Sequence, residues 1–270
     1  HRISLLSTII AFTSSSMGWI TYVHNQWQIQ ILTYFPFFAS TPQRVADRPH
    51  YLLGSIFFLF VIIATLRQTR SLGVILLVGL ASFMTVMIHV SSGIVLALLS
   101  IVIMGISIIK RPHDTNTLRL GVSIGLGCCF GAITTYYFVQ QYSQIANIFI
   151  DQFAYGSPRN FHNISHEILS FGPILWLGLP GLIIGLFRNS KISIPIRVVL
   201  CSWGLLHILL FVALYPVFHM DQVRFVQSLY YIPLTYGTVW LLWWVSRKIH
   251  ILWIAGVSLL LIFNVPTYIS

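Results

Sequence analysis

Residues 71–109 have the sequence SLGVILLVGLASFMTVMIHVSSGIVLALLSIVIMGISII, which contains no Asp, Glu, Lys or Arg. A membrane-spanning helix needs about 20 predominantly apolar residues, so this stretch is long enough for two spans that meet near His89. Apolar runs without period-2 alternation favour helices over a transmembrane barrel. The stretch therefore predicts a helical hairpin inside a membrane.

The rest of the chain has the same character. Hydrophobic residues make up 57% of the 270 residues and charged residues 7%, whereas soluble domains carry roughly 25% charged residues. We therefore predict an all-α fold, a polytopic transmembrane helical bundle of about nine spans. The predicted spans are residues 3–20, 48–66, 71–89, 91–109, 118–139, 169–187, 194–217, 225–245 and 249–266. No repeat or linker divides the sequence, so residues 1–270 are predicted to form a single transmembrane domain. Because it opens on His1 directly in an apolar run, we expect it to be the C-terminal part of a longer chain.

The basic residues predict the orientation. Ten of the 15 follow every second predicted span and Arg2 precedes the first, and Lys and Arg favour the cytoplasmic side of a membrane. The N-terminal end is therefore predicted to be cytoplasmic and the C-terminal end extracytoplasmic, in a multi-pass protein of the cell membrane. Most acidic residues fall on the predicted outer side. The net charge of +10 is spread along the chain rather than clustered, which argues against nucleic acid as a partner. The basic residues that follow every second predicted span are Arg67, Arg70, Lys110, Arg111, Arg119, Arg188, Lys191, Arg197, Arg247 and Lys248.

The longest predicted outer loops are residues 21–47 and 140–168, and long polar loops often carry function. Residues 143–155 place apolar side chains at helical spacing, and residues 27–38 are aromatic and nearly uncharged. Both segments suit interfacial positions, the first as an amphipathic helix. The alternative is that they pack as loops onto the bundle. A functional site is expected on the outer face.

The first candidate site is HMDQVRF, residues 219–225, at the predicted outer mouth of the eighth span. If a helix already begins near Asp221, then Asp221, Arg224 and Ser228 share one face, with His219 beside them. An Arg at a helix N-terminus suits a phosphate or carboxylate. The alternative is a structural Asp–Arg pair that caps the helix. Pro233 is predicted to bend this helix.

The second candidate site is RNFHNISHE, residues 159–167, which contributes Arg159 and Glu167. His162 and His166 stand at i and i+4, so on a helix they could hold a divalent metal ion with Glu167 or Asp151. The segment lacks the Glu between the two histidines that zinc proteases carry. The alternative is a polar loop with surface histidines. A divalent metal ion is the one cofactor that the sequence suggests.

Two further histidines lie in or beside predicted spans. His207 falls near the middle of the seventh span, where it marks either a functional site or a neutral side chain bonded to a neighbouring helix. His89 lies at the tight outer turn beside Ser91 and Ser92, where it could face the same outer cavity. The three cysteines lie within apolar runs, where we expect them to be small buried side chains rather than disulfide or metal partners. They are Cys128, Cys129 and Cys201.

Several motifs together resemble a known family. Asp221, Arg224 and Phe225 precede an aromatic helix, residues 171–173 are FGP, residues 178–182 are GLPGL, and His89 stands at a short hairpin. Over residues 52–268 this resembles the C-terminal half of bacterial multi-pass glycosyltransferases of the GT-C type. The resemblance implies outer loops that bind a polyprenyl-phosphate-linked sugar, with Arg224 at the donor phosphate and Asp221 shaping the pocket.

The sequence departs from that family at its N-terminal side. The family carries an acidic catalytic motif in its first large outer loop, whereas Asp47 stands in RVADR, residues 44–48, which does not match. For a member of the family, that motif would have to lie upstream of His1.

The predicted function is therefore transfer of a sugar from a polyprenyl-phosphate-linked donor on the extracytoplasmic face, with membrane lipid and that donor as partners. Such a transfer needs a carboxylate to accept the acceptor's proton and a cation to stabilise the departing phosphate. Asp221 and Glu167 are the predicted catalytic residues. The alternatives are a transporter or permease subunit, for which His207 is the mid-span ionisable group, and a non-catalytic assembly or anchoring protein. The predicted substrate-binding residues are Arg224, His219, His89, Ser228 and Arg159.

Overall fold

The structure is a computed structural model, and it describes residues 49–110, 115–141, 173–188, 192–214, 217, 225 and 229–246. These residues form seven α-helices and one π-helical turn, with no strand among them, so the all-helical prediction is confirmed for this part of the chain. The helices are α1 (Pro49–Leu66), α2 (Leu72–Ile88), α3 (Val90–Lys110), α4 (Thr115–Gln141), α5 (Pro173–Arg188), α6 (Ile194–Leu209), followed by the π turn Leu210–Leu214, and α7 (Tyr231–Ser246).

Three segments in the described part are long and apolar enough to cross a membrane, namely Val90–Ile109, Thr115–Gln141 and Ile194–Leu214. The described helices overlap the second to eighth predicted spans. The first and ninth, residues 3–20 and 249–266, lie outside the described residues, so nine spans stays a prediction. Three helices of this length and apolar composition indicate a membrane protein.

The prediction for the start of the eighth span was wrong. A helix was predicted from residue 225 or earlier, but α7 begins at Tyr231, after a turn at Leu229 and Tyr230. Pro233 therefore lies in the first turn of α7, where a missing backbone N–H leaves no intrahelical bond unmade. It helps to begin this helix, and the predicted bend at Pro233 was also wrong.

The described helices fall into two compact units, one with α1 to α4 and α6, the other with α5 and α7. The single transmembrane domain over residues 1–270 stays a prediction. In the first unit α2 and α4 run parallel, with their backbones in contact. Ser123 Oγ donates a hydrogen bond to the Ile75 carbonyl at 2.7 Å, and a Cβ on Gly127 would collide with the carbonyl of Gly79. Close contact through small residues is the usual way that helices associate in lipid.

The other helices of this unit pack around that pair. α2 and α3 form a hairpin in which a Cβ on Gly93 would lie 2.5 Å from Val86 Cγ2. α1 meets α6 where the rings of Phe58 and Trp203 lie 5.4 Å apart. The fully buried large side chains of the unit mark its core; they include Trp203, Phe58, Leu96, Leu99, Ile103, Leu120, Ile124 and Leu210.

The second unit is a parallel pair of helices in backbone contact. A Cβ on Gly181 would collide with the backbone of Gly237, and Thr238 Oγ1 lies 3.5 Å from the Ile174 carbonyl. At the far end, the Arg188 guanidinium lies 5.2 Å from the ring centre of Trp244. This cation–π contact ties the C-terminal end of α5 to that of α7.

Candidate functional site

Most of the predicted site residues lie outside the described residues. The same holds for the two segments predicted to be interfacial, residues 27–38 and 143–155. Among the predicted site residues, the structure describes His89. Those outside the described residues are Arg159, His162, His166, Glu167, His219, Asp221, Arg224 and Ser228, together with Asp151.

His89 forms the tight turn between α2 and α3, as predicted from the sequence. It is the one residue between these two helices in the sequence. Its backbone N–H donates to the Thr85 carbonyl at 2.7 Å, which closes the end of α2. A Cβ on Gly54 of α1 would lie 2.9 Å from the Cβ of His89. Glycine at position 54 therefore lets α1 approach the turn closely.

The imidazole of His89 belongs to a small polar cluster. Its Nδ1 lies 2.6 Å from Ser92 Oγ, and its Nε2 lies 3.4 Å from Ser91 Oγ. Both serines are 2% exposed, whereas His89 is half-buried. In a neutral imidazole one ring nitrogen donates and the other accepts, and a serine hydroxyl can do either, so Ser92 orients the ring in both tautomers. The cluster offers an oriented, partly accessible imidazole at the end of an apolar hairpin.

An apolar groove of about 390 Å³ lies between α3 and α4. Small side chains on both helices leave this space, and two of the lining residues, Val86 and Val90, stand on either side of His89 in the sequence. The hydroxyl of Thr135 is occupied, because it donates to the Gly131 carbonyl at 2.8 Å. The wall therefore offers hydrocarbon rather than hydrogen bonds. It is formed by Val86, Val90, Gly93, Ile94, Ala97, Cys128, Cys129, Ala132, Thr135, Tyr136 and Val139.

The groove was not predicted from the sequence, although the spacing of small residues indicates it. Gly93 and Ala97 are four residues apart on α3, and Cys128 and Ala132 are four apart on α4. Residues at that spacing lie on one helix face. Two such small faces on neighbouring helices predict either close contact or a groove, and only the structure decides between them.

The three cysteines differ in their burial. Cys128 and Cys201 are buried, as predicted, and the Cys128 thiol lies 3.7 Å from the Gly93 carbonyl. Cys129 is exposed, so the prediction that it is buried was wrong. It follows Cys128 on α4, and one step along a helix turns a side chain by about 100°, away from the buried position of Cys128 and onto the exposed wall of the groove.

His207 is fully buried within α6. Its Nδ1 lies 2.9 Å from the Trp203 carbonyl of the same helix, so this hydrogen bond does not go to the neighbouring helix that the sequence suggested. The indole N–H of Trp203 is buried without a hydrogen-bond partner among the described residues. The π turn Leu210–Leu214 begins shortly after His207. Such turns occur often at functional sites.

No protein-family model, no curated protein and no solved structure matches this chain.

Proposed function

We propose that this chain is part of a membrane glycosyltransferase that takes a sugar from a polyprenyl-phosphate-linked donor on the extracytoplasmic face. The observation that carries the proposal is the polar cluster of His89, Ser91 and Ser92 beside the apolar groove of α3 and α4. A lipid-linked sugar has a hydrocarbon chain and a polar head. The groove and the cluster supply a surface for each of them.

The chemistry that we propose uses residues from the predicted outer loops. Asp221 or Glu167 accepts the proton of the acceptor hydroxyl as its oxygen bonds to the anomeric carbon. The bond from that carbon to the phosphate oxygen breaks, and the polyprenyl phosphate leaves with the electron pair. Arg224 stabilises the departing phosphate through its fixed fork of N–H donors.

The remaining predicted residues complete the proposal. His219, Ser228 and Arg159 would contact the donor head from the same side. His162 and His166 are kept as candidates for a divalent ion, with no part in the proposed step. The proposed arrangement has nine spans with a cytoplasmic N-terminal end, because basic residues follow every second predicted span.

The test compares His89→Ala and Arg224→Ala in the intact protein, reconstituted with a radiolabelled polyprenyl-phosphate sugar. We expect Arg224→Ala to lower transfer at least 100-fold, as the loss of a positioned donor to a developing charge does. We expect His89→Ala to raise the donor KM, because His89 is proposed to bind the head rather than to react. Membrane insertion should be unchanged in both variants.

Arg188→Ala is the matched control, since it also removes one arginine but lies in the cation–π contact with Trp244. It should transfer sugar at the wild-type rate. Unchanged transfer by Arg224→Ala would show that Arg224 is not part of the proposed site. An unchanged donor KM in His89→Ala would show that the polar cluster of His89, Ser91 and Ser92 is not part of it.

Transport is the second candidate function, favoured by the buried His207 and the π turn that follows it. Ionisable groups beside interrupted helices mark many transport paths. In that case His207→Ala would abolish substrate uptake into vesicles, and Arg224→Ala would leave uptake unchanged. A loss of sugar transfer in Arg224→Ala together with normal uptake by His207→Ala favours the transferase.

A further inference from the structure

Arginines gather at one end of the unit formed by α1 to α4 and α6. Arg67 and Arg70 follow α1, Arg119 lies near the start of α4, and Arg197 lies in the first turn of α6. These helix ends converge, because Thr65 and Gln68, Thr117, and Pro195 and Ile196 line one small cleft. Arginines that are far apart in the sequence therefore occupy the same end of the folded unit.

The positive charge of this end has little to oppose it. No Asp or Glu occurs anywhere in the part of the chain that the structure describes. Arg67, Arg70 and Arg119 are exposed, and Arg197 is half-buried. The sequence between α3 and α4 adds Arg111 and a single acid, Asp114, which both lie outside the described residues.

The helix backbones add to the same charge. α2, α4 and α6 all begin at this end, and none of them has an acidic residue in its first turn. A helix N-terminus carries a partial positive charge, and at α2 and α6 no acidic side chain of the first turn meets it.

Exposed hydrocarbon lies directly beside these charges. Ile109, at the end of α3, is 87% exposed, Leu72, at the start of α2, is 65% exposed, and Ile194, at the start of α6, is 54% exposed. The end of the unit thus pairs cations with apolar helix faces. A molecule that matches both has an anionic head and hydrocarbon chains, which free phosphate and nucleic acid lack.

We propose that this end of the unit binds the headgroup of an anionic phospholipid, with Arg67, Arg119 and Arg197 around the phosphate and the acyl chains along the exposed helix faces. Guanidinium groups match the oxygens of a phosphate geometrically, and basic clusters at the ends of membrane helices attract anionic lipids. The site lies at the opposite end of the unit from His89, so the inference does not rest on the proposed function.

The experiment titrates the full chain, purified in a zwitterionic detergent, with short-chain phosphatidylglycerol or phosphatidylcholine, and measures dissociation constants by native mass spectrometry. The wild type should bind phosphatidylglycerol more tightly than phosphatidylcholine. Arg119→Gln should weaken phosphatidylglycerol binding roughly fivefold, and Arg67→Gln with Arg119→Gln roughly 30-fold. Arg188→Gln, which removes one arginine from the other unit, should leave it unchanged.

Three further measurements keep the proposal testable if a variant does not fold. Arg119→Lys keeps the charge and should retain most of the binding. For the wild type, phosphatidylglycerol binding should weaken as salt rises, because screening shortens the reach of exposed charges, and phosphatidylcholine binding should not. Inorganic phosphate at millimolar concentration should bind far more weakly than phosphatidylglycerol.

The proposal is overturned if the two lipids bind equally to the wild type, or if Arg188→Gln weakens binding as much as Arg119→Gln does. Inorganic phosphate that binds as tightly as phosphatidylglycerol would assign the site to free phosphate and overturn the assignment to a lipid.

Discussion

Single glycines decide how closely the described helices pack. Gly127 faces the carbonyl of Gly79 across the α2–α4 contact, whereas nothing lies within 4 Å of a Cβ placed on Gly105 of α3. The residue type is the same at both positions, and so is the helical backbone. The sequence therefore could not distinguish a glycine that is required for packing from one that is dispensable, because the difference lies in the neighbouring helix.

This difference predicts opposite effects of the same substitution. Gly127→Ala should destabilise the protein by about 1–3 kcal/mol, because the added methyl group overpacks a backbone contact. Gly105→Ala, the matched control, should be neutral or stabilising by up to about 1 kcal/mol, since alanine favours the helix. Thermal unfolding of the reconstituted protein measures both. Equal destabilisation by the two variants would contradict the packing of α2 on α4.

His89 and Cys129 show what could be predicted at this scale. The turn at His89 followed from one polar residue between two apolar runs, each long enough for a helix. The exposure of Cys129 could not be predicted, because hydropathy does not say which helix face meets lipid and which meets protein. The contact between His89 and Ser92 could have been predicted from the sequence, because the two residues are three apart at the start of a helix.

At the scale of the helix, the apolar runs predicted where α1 to α6 lie, but the start of α7 depended on local chemistry. Proline at an N-terminal turn and proline in a helix interior look alike in a hydropathy profile. Pro233 belongs to the first kind, while Pro180 lies inside α5. The turn at Leu229 and Tyr230 decides between these possibilities, and no apolar periodicity signals it.

Some side-chain hydrogen bonds join two helices, and others stay within one helix. Ser123 Oγ on α4 donates to the Ile75 carbonyl on α2, whereas Ser82 Oγ donates to the Val78 carbonyl of its own helix. Ser123→Ala should destabilise the protein by about 0.6 kcal/mol and at most about 1.7 kcal/mol, the range of such bonds between membrane helices.

Ser82→Ala is the matched control, since it removes a bond that joins no two helices, and the Val78 carbonyl remains within the helical hydrogen-bond ladder. Reversible unfolding of both variants in mixed detergent micelles compares them directly. A larger loss of stability in Ser82→Ala than in Ser123→Ala would contradict the proposed role of Ser123.

At the scale of the whole molecule, the alternation of basic residues along the sequence agrees with the helix directions inside each unit. α2 and α4 run parallel to each other, α3 runs against them, and α5 and α7 run parallel. Arg67, which follows α1, and Arg119, near the start of α4, consequently lie at one end of their unit. The outer-loop residues of the predicted active site, including Arg224, lie outside the described residues and stay predictions.

Sidedness can be measured at two exposed glutamines. Gln68 follows α1, and Gln141 ends α4, at the opposite end of the same unit. In a variant whose three cysteines are replaced by alanine, a membrane-impermeant maleimide added to intact cells should label Gln141→Cys and spare Gln68→Cys. Both positions should react after the cells are permeabilised. Labelling of Gln68→Cys alone in intact cells would invert the proposed orientation.

The π turn Leu210–Leu214 constrains which insertions and deletions the sequence can tolerate. A π turn closes its hydrogen bonds one residue later than an α turn does. Because the extra residue is contained within that one turn, losing it would let α6 continue as a regular α-helix with the following chain close to its present register, whereas a deletion from a regular α-helix rotates the following chain by about 100°. A one-residue length difference among natural variants of this chain would therefore be tolerated more readily here than in α2, where the same change would pull Gly79 out of register with Gly127.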